Sequence, residues 1–292
     1  MKPALNQITT FVLPRANEAQ LKQAAGCLGL TDVKVLSPGV ACEGYSNLTD
    51  SQSANEVLES EGILADICVQ PEEGRRKSVL VCDMDSTLIG QECIDELADF
   101  AGVKDKVSEI TERAMRGEID FDGALRERVS LLEGLPASVI DDCYKEKITI
   151  NDGARALVRT MSAHGAKTLI VSGGFTAFTK RIAEACGFDD HHANTLIIAD
   201  DHLTGEVGEP ILGRDAKRTA LMDFTGETPS DAVAIGDGAN DLAMIEVAGL
   251  GLAYHAKPAV AEAAHSAISH TTLRTALYFQ GYSDDDIESD TP

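Results

Sequence analysis

Ser78-Val79-Leu80-Val81-Cys82-Asp83-Met84-Asp85-Ser86-Thr87-Leu88 is the stretch that decides the fold. Its first half is an apolar run of strand length, the pattern of a strand covered on both faces in a parallel sheet. The run ends on two carboxylates. In extended chain, residues i and i+2 point to one side about 6.6 Å apart, so Asp83 and Asp85 can address one shared centre. Two acidic groups so placed call for a cation, or else cap a turn at the strand's end.

Apolar runs recur at residues 168–171, 232–235 and 251–254, each followed by a helical pattern. Strands alternating with helices predict an α/β fold: a Rossmann-like parallel sheet with helices on both faces and its function at the strands' carboxyl ends. Residues 196–207 read as an appended hairpin. Between the first and second core strands, residues 94–150 form a mostly helical stretch too large for an ordinary crossover and read as an inserted cap. Residues 1–73 read as a small α+β domain, with strands at 8–13, 32–36 and 65–69, an extended piece at 40–45, and helices at 17–28 and 53–61. Residues 71–77 then interrupt the pattern as a polar linker opening the main domain, 74–292, with Arg75, Arg76 and Lys77 expected at a solvated edge. Residues 283–292, five of them acidic, are expected to fray.

With 43% hydrophobic and 25% charged residues, the chain buries a core and is not of the disordered class. A net charge of -23 argues against nucleic acid or an anionic membrane as a partner, since either needs a basic face. An anionic substrate must then meet a local positive centre, a metal ion with a few specific Lys or Arg residues. The seven cysteines include no CxxC pair and read as reduced, packed thiols, which argues against zinc. No apolar stretch approaches the roughly 20 residues of a membrane span, so the expectation is a soluble cytoplasmic protein.

Three later segments carry polar groups to the same end of the sheet: Ser172-Gly173-Gly174, Lys217 on a helix, and Gly236-Asp237-Gly238-Ala239-Asn240-Asp241. Alone, these read as a tight turn, an exposed lysine and a helix N-cap. Together with Asp83 and Asp85, in this order, they resemble the haloacid dehalogenase superfamily of phosphotransferases. That resemblance implies that Asp83 attacks phosphorus to form an aspartyl-phosphate, and that Asp85 protonates the leaving group and then activates water. It implies Mg²⁺ held by the carboxylates of Asp83 and Asp237 and the carbonyl oxygen of Asp85. Ser172 and the amides of Gly173 and Gly174 would hold phosphate oxygens, Lys217 would neutralise charge, and Asn240 and Asp241 would orient metal waters or Lys217. The physics agrees, because a phosphate dianion repels an attacking carboxylate and a hard divalent ion offsets that repulsion. Gly165-Ala166-Lys167-Thr168 ends like a phosphate-binding P-loop but lacks the upstream glycine and precedes its strand.

Asp83 through Glu92, Ala114-Met115-Arg116-Gly117, Phe121 through Pro136, and Val171 through Phe175 together resemble the phosphoserine phosphatases, over about residues 78–280. A substrate bearing an ammonium, a carboxylate and a phosphate needs an anion near the amine and a cation near the carboxylate. The resemblance implies Glu92 for the ammonium, Arg128 for the carboxylate through a bidentate fork, and Met115 and Phe121 closing over the three-carbon body. Singly, these residues read as a solvated Glu, an Arg on a charged helix face, and core Met and Phe. The implied activity is Mg²⁺-dependent hydrolysis of O-phospho-L-serine, the last step of serine biosynthesis. A phosphatase or phosphotransferase acting on phosphothreonine or another small monoester is an alternative, and an amino-acid sensor with an idle core is another. The N-terminal unit is placed like the ACT-like domain of longer members. Its first turn, Leu13-Pro14-Arg15-Ala16-Asn17, has no glycine, which points away from serine sensing and toward a homodimer or support of the cap. Cys82 stands where the family often has an aromatic or long aliphatic residue, a difference of packing rather than chemistry.

Overall fold

The computed structural model describes residues 7–15, 17–115 and 118–291, without the side chains of Met115 and Arg214. The chain begins β1 (Gln7–Val12), α1 (Glu18–Cys27), β2 (Thr31–Ser37), β3 (Ala41–Tyr45), α2 (Ser51–Ser60), β4 (Asp66–Pro71). This βαββαβ unit forms an antiparallel sheet in the order β2-β3-β1-β4. α1 starts where it does because Asn17 accepts from the amides of Ala19 and Gln20 while the Gln20 side chain accepts from the Asn17 N–H, a reciprocal cap. Alternation along β1 splits the sheet's two faces. Phe11 packs with Leu21, Leu58 and Ile67 under the helices. Val12 turns the other way, into the main core of the molecule with Leu36 and Cys68.

The chain continues β5 (Val79–Cys82), α3 (Cys93–Phe100), α4 (Lys104–Met115), α5 (Phe121–Ser130), α6 (Val139–Lys147), α7 (Ala154–Ala163), β6 (Lys167–Phe175), α8 (Thr176–Cys186), β7 (Asp190–Asn194). It ends β8 (Leu196–Ala199), β9 (His202–Val207), α9 (Arg214–Thr225), β10 (Ala232–Gly236), α10 (Leu242–Ile245), β11 (Leu250–Tyr254), α11 (Pro258–Ala263), β12 (Ser266–Ile268), α12 (Thr275–Phe279). Six strands pair in parallel in the order β12-β11-β10-β5-β6-β7, so β5, the strand that leads into Asp83 and Asp85, is central. Both faces of β5 are covered: Val79 and Val81 pack toward Leu221 of α9 and Ile245 of α10, while Leu80 and Cys82 pack toward Leu157 of α7 and Phe178 of α8. Leu80 is fully buried, and Leu80→Ala would cost about 2–5 kcal/mol by leaving a cavity the sheet cannot close.

Helices α3 to α6 lie between β5 and β6 in sequence. The antiparallel β8–β9 hairpin braces them from the core. Gly134 N donates to Leu203 O (2.9 Å), Leu203 N to Leu135 O (2.8 Å) and Ala137 N to Asp201 O (2.8 Å), fixing the α5–α6 corner.

Three expectations change. The basic linker is partly exposed but tied down: Arg75 pairs with buried Glu43 at 2.7 Å, Arg76, still exposed, lies over the Tyr282 ring, and the Lys77 ammonium donates to Ser230 O at 2.9 Å. The acidic tail is docked as far as it is described, because its carboxylates find donors: Asp290 accepts from Gly153 N (2.8 Å) and Ala156 N (2.9 Å) at the start of α7, and Asp284 from Ser37 and Tyr278 (2.7 Å each). The N-terminal unit is tied elsewhere than to the cap. Among the described residues its inter-unit hydrogen bonds go to the β12 edge and the C-terminal segment, with Ser266 donating to Ile67 O at 2.5 Å and Asp66 accepting from Ser269 N at 2.8 Å.

Candidate active site

Asp83 sits where β5 ends, its N–H donated to Ile235 O of β10 at 2.9 Å, so the parallel pairing itself sets its position. One carboxylate oxygen accepts from Met84 N at 2.7 Å; the other meets the Lys217 ammonium of α9 at 2.7 Å. Lys217 also reaches Asp241 at 2.5 Å. Asp83, Lys217 and Asp241 are 5%, 3% and 0% exposed, so the cluster is a buried one. Burial works against the Lys217 charge, yet Asp83 and Asp241 hold its pKa above the usual lysine value. Burial, with the charge of Asp241, pushes the Asp83 carboxyl up against the pull of Lys217.

Carboxylate oxygens of Asp83, Asp237 and Asp241 lie within 4.8 Å of one another. Asp237 accepts from the Thr87 hydroxyl at 3.0 Å, and burial followed by the Asp241 charge pushes its pKa up to about 6. Three carboxylates facing one lysine leave about two negative charges uncompensated, and three hard oxygen donors suit a divalent cation of the magnesium or calcium kind. The residues present therefore fit a divalent metal, with Asp241 beside Asp83 and Asp237 in the converging set.

Above this floor, Asp85 bridges core and cap. Its carboxylate accepts from Cys93 N at the start of α3 (3.0 Å) and from the Ser172 hydroxyl (3.3 Å), and burial raises its pKa. Ser172 in turn accepts from Gly174 N at 2.9 Å. Ser172, Gly173 and Gly174 form no tight turn: β6 runs extended through them to Phe175, with its pairing to β7 slipped between Val171 and Phe175. Glycine serves clearance here. A Cβ on Gly174 would collide with the Asp85 carboxylate, and one on Gly173 would press the Phe121 ring at 3.2 Å.

The cap side is more open. Glu92, just ahead of α3, is exposed to the cavity and accepts from the Ser86 hydroxyl at 2.7 Å. Protein packed around its carboxyl, with the Asp85 charge adding, pushes its pKa up to about 7 against the pull of the Ser86 hydrogen bond. Half-buried Arg128 of α5 donates to Ala124 O at 3.2 Å and to the Thr111 hydroxyl at 3.5 Å, and burial lowers its pKa. A cavity of about 370 Å³ is lined at one end by Asp83, Asp85, Asp237 and Asn240 and at the other by Glu92, Phe121 and Arg128, with Gly173 and Gly174 between. Ser172 and Lys217 lie beneath, bonded to Asp85 and Asp83. The Met115 side chain and residues 116–117 lie outside the described residues.

A family model described as haloacid dehalogenase-like hydrolase matches residues 80–246, more than half of the chain, and a second of the same description matches residues 217–276. The chain belongs to the haloacid dehalogenase-like hydrolases. It is 46% identical over 218 residues to a phosphoserine phosphatase of Streptomyces coelicolor, an alignment covering 74% of this chain and 53% of that one. It is also 46% identical over 206 residues to a phosphoserine phosphatase of Lactococcus lactis, covering 70% of this chain and 95% of the relative. The chain thus spans about half the length of the first relative and nearly all of the second. A solved structure of a probable phosphoserine phosphatase from Vibrio cholerae, unliganded, is 32% identical with a TM-score of 0.80, covering 96% of this chain and 88% of that one.

Three polar residues around this hydrolase site escaped the sequence reading. Thr87, inside the quoted stretch, holds Asp237, and Asn151 donates to Thr87 O at 2.8 Å. Asn194, buried at the end of β7, donates to Gly173 O (2.9 Å) and accepts from Leu212 N (2.7 Å), tying the glycine segment to the loop that enters α9. Thr87 could have been found as a polar residue beside the acidic pair. The two asparagines carry no local signal.

Proposed function

We propose that this chain is a Mg²⁺-dependent phosphoserine phosphatase, releasing serine and inorganic phosphate from O-phospho-L-serine through an aspartyl-phosphate. The observation that carries this reading is one cavity with a lysine-held carboxylate cluster at one end and a carboxylate and a guanidinium, Glu92 and Arg128, at the other. Asp83, Asp237 and the carbonyl oxygen of Asp85 would hold Mg²⁺, which would supply positive charge to the phosphoryl oxygens. Asp83, steadied by Lys217, attacks phosphorus as the bond to the serine oxygen breaks, and protonated Asp85 gives its proton to the departing alkoxide. Asp85, now ionised, takes a proton from water as that water attacks phosphorus and frees Asp83. Ser172 and the neighbouring amides steady the phosphoryl oxygens, Asn240 stands beside them, and Glu92 and Arg128 orient the amino-acid end.

Seven free cysteines, six of them buried, and the absence of any helix long and apolar enough to cross a membrane among the described residues support a cytoplasmic setting. Self-association would use the outer edge of β2, where Val33 and Val35 are exposed.

The test is phosphate release from L-phosphoserine, L-phosphothreonine and p-nitrophenyl phosphate, with Mg²⁺ or EDTA, for wild type and Asp83→Asn. Metal-dependent turnover favouring phosphoserine and lost in the variant is expected. Turnover of the aryl ester alone would retain the chemistry and sink the substrate.

A further inference from the structure

Ser86 has φ +53° and ψ 3°, the left-handed conformation that glycine adopts freely and L-residues avoid. Of the other described non-glycine residues at positive φ, Glu227 lies just past the end of α9, and Asp32, Asp200, Asp201 and His255 are of types that tolerate it. Ser86 is not, and it lies between the acidic pair and the cap. A non-glycine residue kept in that conformation beside a site asks for a reason in its side chain. The side chain has one: its hydroxyl donates to Glu92 Oε1 at 2.7 Å. The Ser86 N–H is donated to Gln91 O at 3.2 Å, so the loop from 86 to 91 closes on itself and brings the two residues together.

Glu92 depends on that contact. It occupies the N-cap position of α3 yet makes no side-chain bond to the helix, and it is exposed to the cavity. A free glutamate side chain would sample many rotamers and would lose that freedom on binding a ligand. With Oε1 held by Ser86, the other oxygen is left to meet a cation at the open end of the cavity.

We propose that Ser86 is a specificity-determining positioning residue: its hydroxyl, set by the left-handed backbone, aims Glu92 at the substrate ammonium and ties it to the loop carrying Asp83 and Asp85. This rests on the phosphoserine reading above and adds the residue that sets its amine selectivity.

The experiment uses the full chain with Ser86→Gly and Ser86→Ala. Both remove the hydroxyl, but only glycine relieves the backbone, so folding and hydroxyl effects separate. The readout is kcat and KM for O-phosphoserine and for 3-phosphooxypropanoate, the same ester without its amine, together with Tm. A hydrogen bond to a charged group is worth on the order of a tenfold change in binding. Both variants should lose about tenfold in the ratio of kcat/KM for phosphoserine over the amine-free ester, mainly through KM for phosphoserine. Tm of Ser86→Gly should be no lower than wild type. In a Glu92→Gln background, Ser86→Gly should lower the ratio no further. Equal losses on both esters, or a change in the glycine variant alone, would overturn the assignment in favour of phosphoryl contact or backbone shape. A wild type with no preference for phosphoserine would overturn the functional reading and this one together; a preference that survives Ser86→Gly overturns only this one.

Discussion

The two ends of the cavity are built differently. At the floor, Asp83, Lys217 and Asp241 are buried and bonded to one another before any ligand arrives. At the cap end, Glu92 is open to the cavity and Arg128 is spent on a backbone carbonyl and one long hydroxyl contact. A buried charge cluster holds its geometry because any loosening leaves a charge unpaired in low dielectric. An exposed carboxylate and a half-satisfied guanidinium keep donors and acceptors free for a ligand. Under the proposed function, chemistry would be preorganised at one end, and recognition would be completed by the substrate at the other.

The sharpest way to break this contrast is Lys217→Met. It should strand two buried carboxylates, lowering stability by about 3 kcal/mol in metal-free urea titrations. It should also cut kcat by about 10²–10³ on every phosphate ester. A stable variant with selective loss on phosphoserine would reverse the roles of the two ends. Arg128→Ala should be the mirror image: kcat/KM for phosphoserine down about 100-fold through a lost charge-assisted contact, p-nitrophenyl phosphate far less affected, and Tm little changed. Equal losses on the two substrates would remove Arg128 from recognition.

A pH series sharpens the cap end further. With its pKa raised to about 7, Glu92 is ionised above that value and neutral below it, and only the ionised form attracts an ammonium. The ratio of kcat/KM for phosphoserine over its amine-free ester should be flat from pH 8 to 9 and fall toward tenfold per unit below about 7. The ratio cancels titration of the phosphate, and a ratio constant down to pH 5.5 would contradict the assignment. The smallest effect calibrates the rest: Asp290→Ala uncaps α7 outside the cavity, so it should cost about 1 kcal/mol in denaturation and leave that ratio unchanged.

Much of the floor was legible in the chain. Val79 through Val81 reads as a doubly covered strand, and a parallel sheet sends every such strand's carboxyl end to one side, so Asp83, Ser172 and Asp237 had to converge. The glycines after Ser172 were visible, but their conformation was not, because a turn and an extended segment needing clearance use the same residue. The linker and tail misled for a related reason. Arg75 and Asp290 look like solvent-facing charges until a partner from elsewhere appears, Glu43 for one and the start of α7 for the other.

By itself the sequence determined the alternation of strands and helices, the carboxyl-end placement of its polar motifs and the capping of α1, since each depends on neighbours within a few positions. Only the tertiary structure decided that Thr87 braces Asp237 across 150 residues, that Asn194 secures the glycine segment, that Asp241 joins the carboxylate cluster, and that Ser86 holds Glu92 in a left-handed loop. Periodicity and capping are properties of a short window of chain. The direction of a single carboxylate oxygen is set by whichever donor the closed fold brings to it.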